Sequence, residues 1–154
     1  MKVTITALET NVDDRGELCE LLRTDDHDFE QFGQVYCVLS RQPGIVRAWH
    51  RHQYLYDWFI IVSGAAKFGF VDALPNDKPE GAAYYITTSE RKLTRICVPP
   101  GVWHGWMALV PNTLLISVAS QLYKGPGRCL AVDEERLPAD YFIVTGKQIG
   151  RAHV

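Results

Sequence analysis

Residues 44–64 read GIVRAWHRHQYLYDWFIIVSG and residues 99–104 read PPGVWH, and these two stretches carry the strongest structural signals of the chain. His50 and His52 are two residues apart, so on a β-strand their side chains point to the same face. The run WFIIV at 58–62 is apolar on both faces, which is typical of a buried strand. We expect the two stretches to meet, so that His104 joins His50 and His52 beside one cavity.

The rest of the chain consists of short apolar runs separated by Gly, Pro, Asn or Asp. These runs predict further strands at 32–39, 65–71, 82–87, 93–98 and 113–120. No long stretch has an apolar period of 3.6 residues, and a helical turn is expected only at 17–22. Many short strands at close spacing predict an all-β protein, an antiparallel sandwich or barrel.

Composition limits the class of protein. A chain of 154 residues with 47% hydrophobic and 22% charged residues is long enough for one globular domain. No apolar run approaches the roughly 18–20 residues that cross a bilayer, so we expect a cytoplasmic protein without a membrane partner. A net charge of −2 provides no basic field for nucleic acid. Residues 148–154 (QIGRAHV) resemble a translated sequencing adaptor, so we expect a domain at 1–147 followed by a non-native or disordered tail.

The first stretch resembles the first motif of the cupin superfamily, which is Gly, five residues, His-x-His, three or four residues, Glu, six residues and Gly. The matching residues are Gly44, His50, His52, Asp57 in the Glu position, and Gly64. The second cupin motif is matched by Pro99, Gly101 and His104. The resemblance implies a cupin-type jelly-roll β-sandwich made of a single domain.

Within the cupins, four segments resemble, in order, the dTDP-4-dehydrorhamnose 3,5-epimerase-like family of nucleotide-sugar enzymes. They are Asp14-Arg15-Gly16 with Glu20, residues 44–50, Val71-Asp72 and residues 99–105. The His-x-His and Val-Trp-His pieces also resemble the dTDP-sugar 3,4-ketoisomerases. The resemblance implies an isomerase of carbohydrate biosynthesis, an epimerase or ketoisomerase that acts on a dTDP-4-keto-6-deoxy sugar. An enzyme of this kind is expected to need no cofactor, because the keto group of the sugar already acidifies the adjacent C–H bond enough for an imidazole to remove the proton.

The same resemblance implies roles for individual residues. His50 matches the catalytic base, and Asp133 matches the carboxylate that orients it. The expected substrate-binding residues of the same subunit are Arg47, His52, Trp103 and His104. Arg15 and Glu20 match positions that reach the nucleotide site of a neighbouring subunit, which implies a homodimer.

Two positions differ from the family pattern. Ser117 stands where the epimerases have a proton-donating tyrosine, and Asp57 stands where they have a lysine. A serine hydroxyl is a much weaker acid than a phenol, whose pKa is about 10, and Asp57 reverses a charge that would stabilise an enolate. Candidates to supply the acid from another direction are Tyr54, Tyr56 and Tyr123.

Two other functions stay open at this point. Three imidazoles and one carboxylate can bind a divalent metal, which would make the protein a metal-dependent cupin enzyme. The ligands would be His50, His52, Asp57 and His104, and the positive charge of Arg47 nearby opposes such a site. A third hypothesis is a non-catalytic sugar-binding cupin, because with Ser117 in place of the tyrosine the usual proton donor is absent.

Overall fold

The computed structural model describes residues 3–71 and 83–122, together with the backbone of residues 72, 135 and 136. Within these ranges all regular secondary structure is β-strand. The strands are β1 (Thr4–Ala7), β2 (Thr10–Asp13), β3 (Gly16–Cys19), β4 (Gln34–Ser40), β5 (Val46–Arg51), β6 (Asp57–Ser63), β7 (Ala65–Asp72), β8 (Tyr84–Ser89), β9 (Thr94–Val98), β10 (Val102–Ala108), β11 (Thr113–Ala119) and β12 (Glu135–Arg136). In this part of the chain no helix is long and apolar enough to cross a membrane.

Two five-stranded sheets pack face to face. Sheet I has the strand order β1-β9-β6-β11-β4, and sheet II has the order β12-β5-β10-β7-β8. All neighbours in both sheets are antiparallel, whereas β2 and β3 form a separate two-stranded sheet. The predicted all-β antiparallel sandwich is confirmed, and the strands expected from the apolar runs all occur with their ends displaced by at most two residues.

The core lies between the inner faces of the two sheets. Phe59, Ile61 and Leu115 of sheet I belong to the same buried cluster as Phe68 and Trp106 of sheet II. Burying a side chain of this kind contributes about 1.5–3 kcal/mol, so this layer supplies most of the stability of the sandwich. The alternation of inward and outward residues along each strand also decides which polar side chains can share a space.

The prediction of a helical turn at 17–22 is wrong. Residues 16–19 form β3, which pairs with β2 in a hairpin whose register sets Asp13 opposite Gly16. Gly16 closes the two-residue turn with a φ of 125°, a conformation that side-chain-bearing residues rarely adopt. The backbone N–H of Arg15 donates to Asp13 Oδ1 at 2.9 Å, and this local hydrogen bond favours the turn over a helix.

A buried arginine holds the segment between β3 and β4 against the outer face of sheet I. The Arg95 side chain on β9 is 2% exposed, and its guanidinium donates to Asp26 Oδ2 and to Asp28 Oδ1, both at 2.6 Å. Trp58 Nε1 donates to the carbonyl oxygen of Asp28 at 3.1 Å, and the ring of Phe29 stacks on Trp58. Two carboxylates therefore neutralise one buried cation and tie this segment to β6 and β9.

Replacing this arginine should destabilise the protein strongly. In Arg95→Ala the Asp28 carboxylate, whose side chain is 5% exposed, stays buried without its cation, and we expect a loss of about 3–5 kcal/mol of unfolding free energy. Urea unfolding followed by tryptophan fluorescence measures the change. Arg23→Ala is the control, because Arg23 pairs with Glu20 and Asp25 in a half-exposed setting and should leave the midpoint nearly unchanged. Equal shifts in the two variants would contradict this account.

Candidate functional site

His50 and His104 face each other across the pair formed by β5 and β10. The register sets them directly opposite, and their ring centroids are 6.1 Å apart. His104 points inward because it is two residues from Val102 and from Trp106, which both belong to the core, and so shares their face of β10. The pairing therefore brings the two sequence motifs together on the inner face of sheet II.

A β-bulge places Arg47 on the same face as His50. Arg47 pairs with Trp106, and His50 pairs with His104, so two residues of β5 stand opposite the single residue Gly105 of β10. Without the extra residue, positions 47 and 50 would point to opposite faces, because their separation is odd. Gly105 is required at this point, since a Cβ there would lie 2.2 Å from the Cβ of Ala48.

His52 and Asp57 stand at the two ends of the connection between β5 and β6. The backbone N–H of Gly101 donates to the carbonyl oxygen of His52 at 2.7 Å, and the backbone N–H of Tyr56 donates to Ser120 Oγ at 2.9 Å. These bonds fix the connection as it passes from sheet II to sheet I. As a result Asp57 is 3% exposed, and its Oδ2 lies 3.4 Å from His52 Nε2 and 3.6 Å from His104 Nε2.

The protonation of His104 is set by its backbone. Its Nδ1 lies 3.0 Å from the carbonyl oxygen of Val102, which can only accept, so Nδ1 carries a proton. Nε2 then turns either a lone pair or a second proton towards the Asp57 carboxylate. Two imidazoles converge on one carboxylate oxygen, an arrangement that is attractive when a proton or a cation lies among these atoms.

The opposite wall of this space comes from sheet I. The Phe59 ring lies 5.6 Å from the His104 ring, and Ser117 is the cross-strand partner of Phe59. Ser117 is 0% exposed, and its hydroxyl has no hydrogen-bond partner in the structure. The position expected to hold the acid is thus inward-facing, and it holds a small side chain. We name His50, His52, His104 and Asp57 the histidine cluster.

Comparisons with known proteins place this arrangement in a family. Residues 11–124 match the family model described as "Polysaccharide biosynthesis C-terminal domain". The chain belongs to this family. It is 31% identical over 140 residues to the "Probable low-salt glycan biosynthesis epimerase Agl13" of Haloferax volcanii, covering 90% of this chain and 87% of that protein.

Solved structures share the fold of this polysaccharide biosynthesis family member. A dTDP sugar isomerase from Desulfovibrio desulfuricans superposes with a TM-score of 0.77 at 23% identity, over 90% of this chain and 85% of the other. The dTDP-4-dehydrorhamnose 3,5-epimerase of Bacillus anthracis, solved with TDP and PPi bound, gives a TM-score of 0.75 at 18% identity, over 88% and 78% of the two chains. The resemblance to these enzymes and the cupin-type jelly roll are confirmed.

Other residues expected at the site of this family member lie elsewhere. Trp103 alternates with His104, so its ring lies on the outer face of sheet II with Trp49 and beneath the guanidinium of Arg51, 5.6 Å away. At 2% exposure in that position, Trp103 does not face the histidine cluster. The reason is the two-residue period of β10, which sends adjacent side chains to opposite faces.

The N-terminal candidates have partners on their own segment. Arg15 forms an ion pair with Asp13 at the tip of the β2–β3 hairpin, which holds the Asp13 pKa below its usual range. Glu20 pairs with Arg23 at 3.0 Å. The roles of Asp133 and Tyr123 fall outside the described residues, as does the boundary at 147.

Sequence reasoning missed the structural role of two residues. The sequence identifies Phe59 only as part of an apolar strand, yet its ring lies 5.6 Å from that of His104. Gly105 belongs to the family match, yet it also accommodates the bulge that orients Arg47 and His50. A glycine directly after a motif histidine was the available signal, because such a glycine often marks a close backbone approach.

Filling the space at Gly105 should disturb both stability and the histidine pair. In Gly105→Ala the new methyl group collides with Ala48, and the bulge must shift, so we expect a loss of about 1–3 kcal/mol of unfolding free energy. Urea unfolding of Gly105→Ala, alone and combined with Ala48→Gly, measures how far the two changes are coupled. The second change removes the Ala48 Cβ but leaves the Ala48 Cα and the Arg47 carbonyl oxygen close to the new methyl group, so only part of the lost stability should return. Strictly additive effects would argue against this contact.

Proposed function

We propose that this protein is an isomerase that acts on a nucleotide-linked 4-keto-6-deoxy sugar, a dTDP sugar, as an epimerase or ketoisomerase. The observation that carries the proposal is the juxtaposition of His50, His104 and Arg47 on one inner face. The relatives support it, because they include a protein named as a glycan biosynthesis epimerase and structures of dTDP-sugar isomerases and epimerases. Cytoplasmic location is part of the same proposal.

The chemistry begins at His50. Its neutral imidazole takes the proton from the carbon next to the keto group, and the bonding electrons move into an enolate. Arg47 lies on the same face, three residues before His50, and its fixed positive charge stabilises the oxygen as it becomes negative. Asp133 is proposed to set the tautomer of His50 by accepting a hydrogen bond from its other ring nitrogen.

The remaining imidazoles act on the sugar oxygens. His52 and His104 converge on Asp57 with Nε2 to Oδ2 distances of 3.4 and 3.6 Å, so a proton held among them can be donated to a hydroxyl or keto oxygen. The carboxylate keeps that proton close by favouring the charged imidazolium. This gives Asp57 a proton-storing function in place of the family lysine.

A homodimer forms part of the proposal. Within the described residues the β2–β3 hairpin pairs with neither sandwich sheet, and its Val12 and Leu18 side chains are 70% and 61% exposed. An isolated two-stranded hairpin is at best marginally stable in water, so packing against another subunit would stabilise it. Arg15 and Glu20 on this segment are proposed to bind the nucleotide of the partner subunit.

Loss of the base should abolish exchange at the carbon. In His50→Asn we expect solvent deuterium incorporation next to the keto group of a dTDP-4-keto-6-deoxyhexose to fall about 10²- to 10⁴-fold, because a general base contributes that much. Proton NMR in D₂O measures it. His27→Asn, a change at an exposed histidine of the segment on sheet I, is the control and should exchange like the wild type. Equal exchange by His50→Asn would contradict the proposal.

A second candidate function is a metal-dependent cupin enzyme. One ligand atom each from His52, Asp57 and His104 lie within 4.8 Å of one another, which fits a small divalent cation. His104 donates Nδ1–H to the Val102 carbonyl, as a metal-ligating histidine usually does with its other nitrogen. His50 is not part of this group, so the predicted four-ligand set is reduced to three. A bound cation would polarise the keto oxygen of a substrate.

Zinc titration tests the second candidate. Chelator-treated protein should bind one Zn²⁺ per chain in isothermal titration calorimetry, and Asp57→Asn should weaken that binding at least about tenfold, because the only anionic ligand of the group is lost. Asp25→Asn, at an exposed carboxylate bound to Arg23, should not change it. Failure of the wild-type protein to bind Zn²⁺ would reject this candidate and leave the isomerase proposal intact.

A further inference from the structure

Tyr36 lies beside the position where the acid is missing. It is on β4, and the register of sheet I sets it directly opposite Ser117 of β11. Val38, two residues further along β4, packs against the core cluster, so Tyr36 shares the inward-facing side of the strand. Cross-strand partners have Cβ atoms about 4.5–5.5 Å apart, so the phenol starts one strand away from Ser117.

The exposure of Tyr36 shows that the sandwich is open here. An inward-facing side chain of the core layer is normally buried, and Ser117 next to it is 0% exposed, yet Tyr36 is 43% exposed. Among the described strands β4 is the edge of sheet I, and none of them pairs with its outer side. The phenol is therefore accessible to a molecule that enters between the sheets at this edge.

This edge lies on the His50 side of the histidine cluster. Phe59 of β6 faces His104 of β10, and from there sheet I continues through β11 to β4 while sheet II continues to β5. Residues 41–45 join β4 directly to β5, and the backbone N–H of Gly44 donates to the Ala108 carbonyl oxygen at 2.9 Å. So short a connection keeps β4 and β5 on the same side of the sandwich. Tyr36 and His50 thus face the same space from opposite sheets.

The tyrosines that sequence reasoning considered fit less well. Tyr56 stacks on Trp58 of the outer face of sheet I, and burial raises the pKa of its hydroxyl, which makes it a weaker acid. Tyr54 is 68% exposed in the connection between β5 and β6. Among the described residues, Tyr36 is the phenol that shares the inner face of sheet I with Ser117.

We propose that Tyr36 is the catalytic acid that protonates the sugar on the face opposite His50. The proposal rests on the isomerase function proposed above and specifies inversion, which makes the enzyme an epimerase. His50 removes the proton from one face, and the electron pair forms the enolate C=C bond. The enolate then takes the Tyr36 hydroxyl proton at the same carbon from the other face, and the keto group reforms. Solvent returns a proton to the phenolate and accepts one from the imidazolium, so no other reactant is needed.

Ser117 cannot itself present an acid to a sugar. It lies between Phe59 and Tyr36 in the register of sheet I and is 0% exposed, so the side chain that a ligand entering at this edge can reach is that of Tyr36. The buried Ser117 hydroxyl has no protein partner, so the side chain is not retained for a hydrogen bond within the sheet. The proposed acid therefore lies on β4, whereas the family pattern places it on the neighbouring strand β11.

The experiment separates proton removal from proton return. Wild-type protein and three variants are incubated in D₂O with dTDP-4-keto-6-deoxyglucose, and NMR follows both deuterium incorporation and the configuration of the labelled carbon. Tyr36→Phe should form inverted product at least about 100-fold more slowly, yet incorporate deuterium with retention within about fivefold of the wild-type rate, because His50 is intact. Ser117→Ala should invert normally.

Tyr85→Phe is the matched control. Tyr85 lies on the outer face of sheet II beneath Lys67, and its hydroxyl has no hydrogen-bond partner, so removing that oxygen should alter neither rate. Inversion by Tyr36→Phe at the wild-type rate would overturn the role of Tyr36 alone. So would wild-type protein that exchanges deuterium without inverting any carbon. Wild-type protein that neither exchanges nor inverts would overturn the isomerase function as well.

Discussion

The pairing of β5 with β10 across a bulge is the constraint on which the histidine cluster depends. The extra residue opposite Gly105 turns His50 to the inner face, where it meets both His104 and Arg47. A regular strand would send either the base or the cation to the outer face. The glycine makes this possible, because only the absence of a Cβ lets Ala48 approach so closely. The bulge thus places His50, His104 and Arg47 together on the inner face of sheet II.

The two sheets contribute different chemistry. Sheet II supplies the imidazoles of His50 and His104 and the guanidinium of Arg47, whereas the inner face of sheet I supplies Phe59, Ser117 and Tyr36. Asp57 is the exception, since it begins β6 yet lies against two imidazoles of the other side. Asp57 is 3% exposed, and an ionised carboxylate in so buried a position attracts a proton or a cation strongly. The approach of His52 and His104 to Asp57 supports both the isomerase proposal and the second candidate, a metal-dependent cupin enzyme.

The solved structures share the sandwich fold of this chain, but the fold alone does not fix the chemistry of the site. Ser117 differs from the family pattern, and under the proposal made above the phenol of Tyr36 on the next strand acts as the acid instead. The departure at Asp57 changes the charge of the cluster, and so it bears on what the site binds as well as on what it protonates.

Much of this protein could be predicted from sequence. Short apolar runs between turn residues predict the strands, and the two-residue spacing predicts that His50 and His52 share a face, because both are local properties of a strand. That His104 joins them follows from the expected jelly roll, which pairs the two motifs. The outward position of Trp103, the bulge at Gly105 and the register that sets Tyr36 beside Ser117 could not be predicted. Those features depend on which residues of distant strands pair, and a shift of one residue reverses every side chain. The sequence by itself determined which groups are available, while the tertiary structure decided which of them face one another, because pairing between distant strands is set by the packing of the whole sandwich.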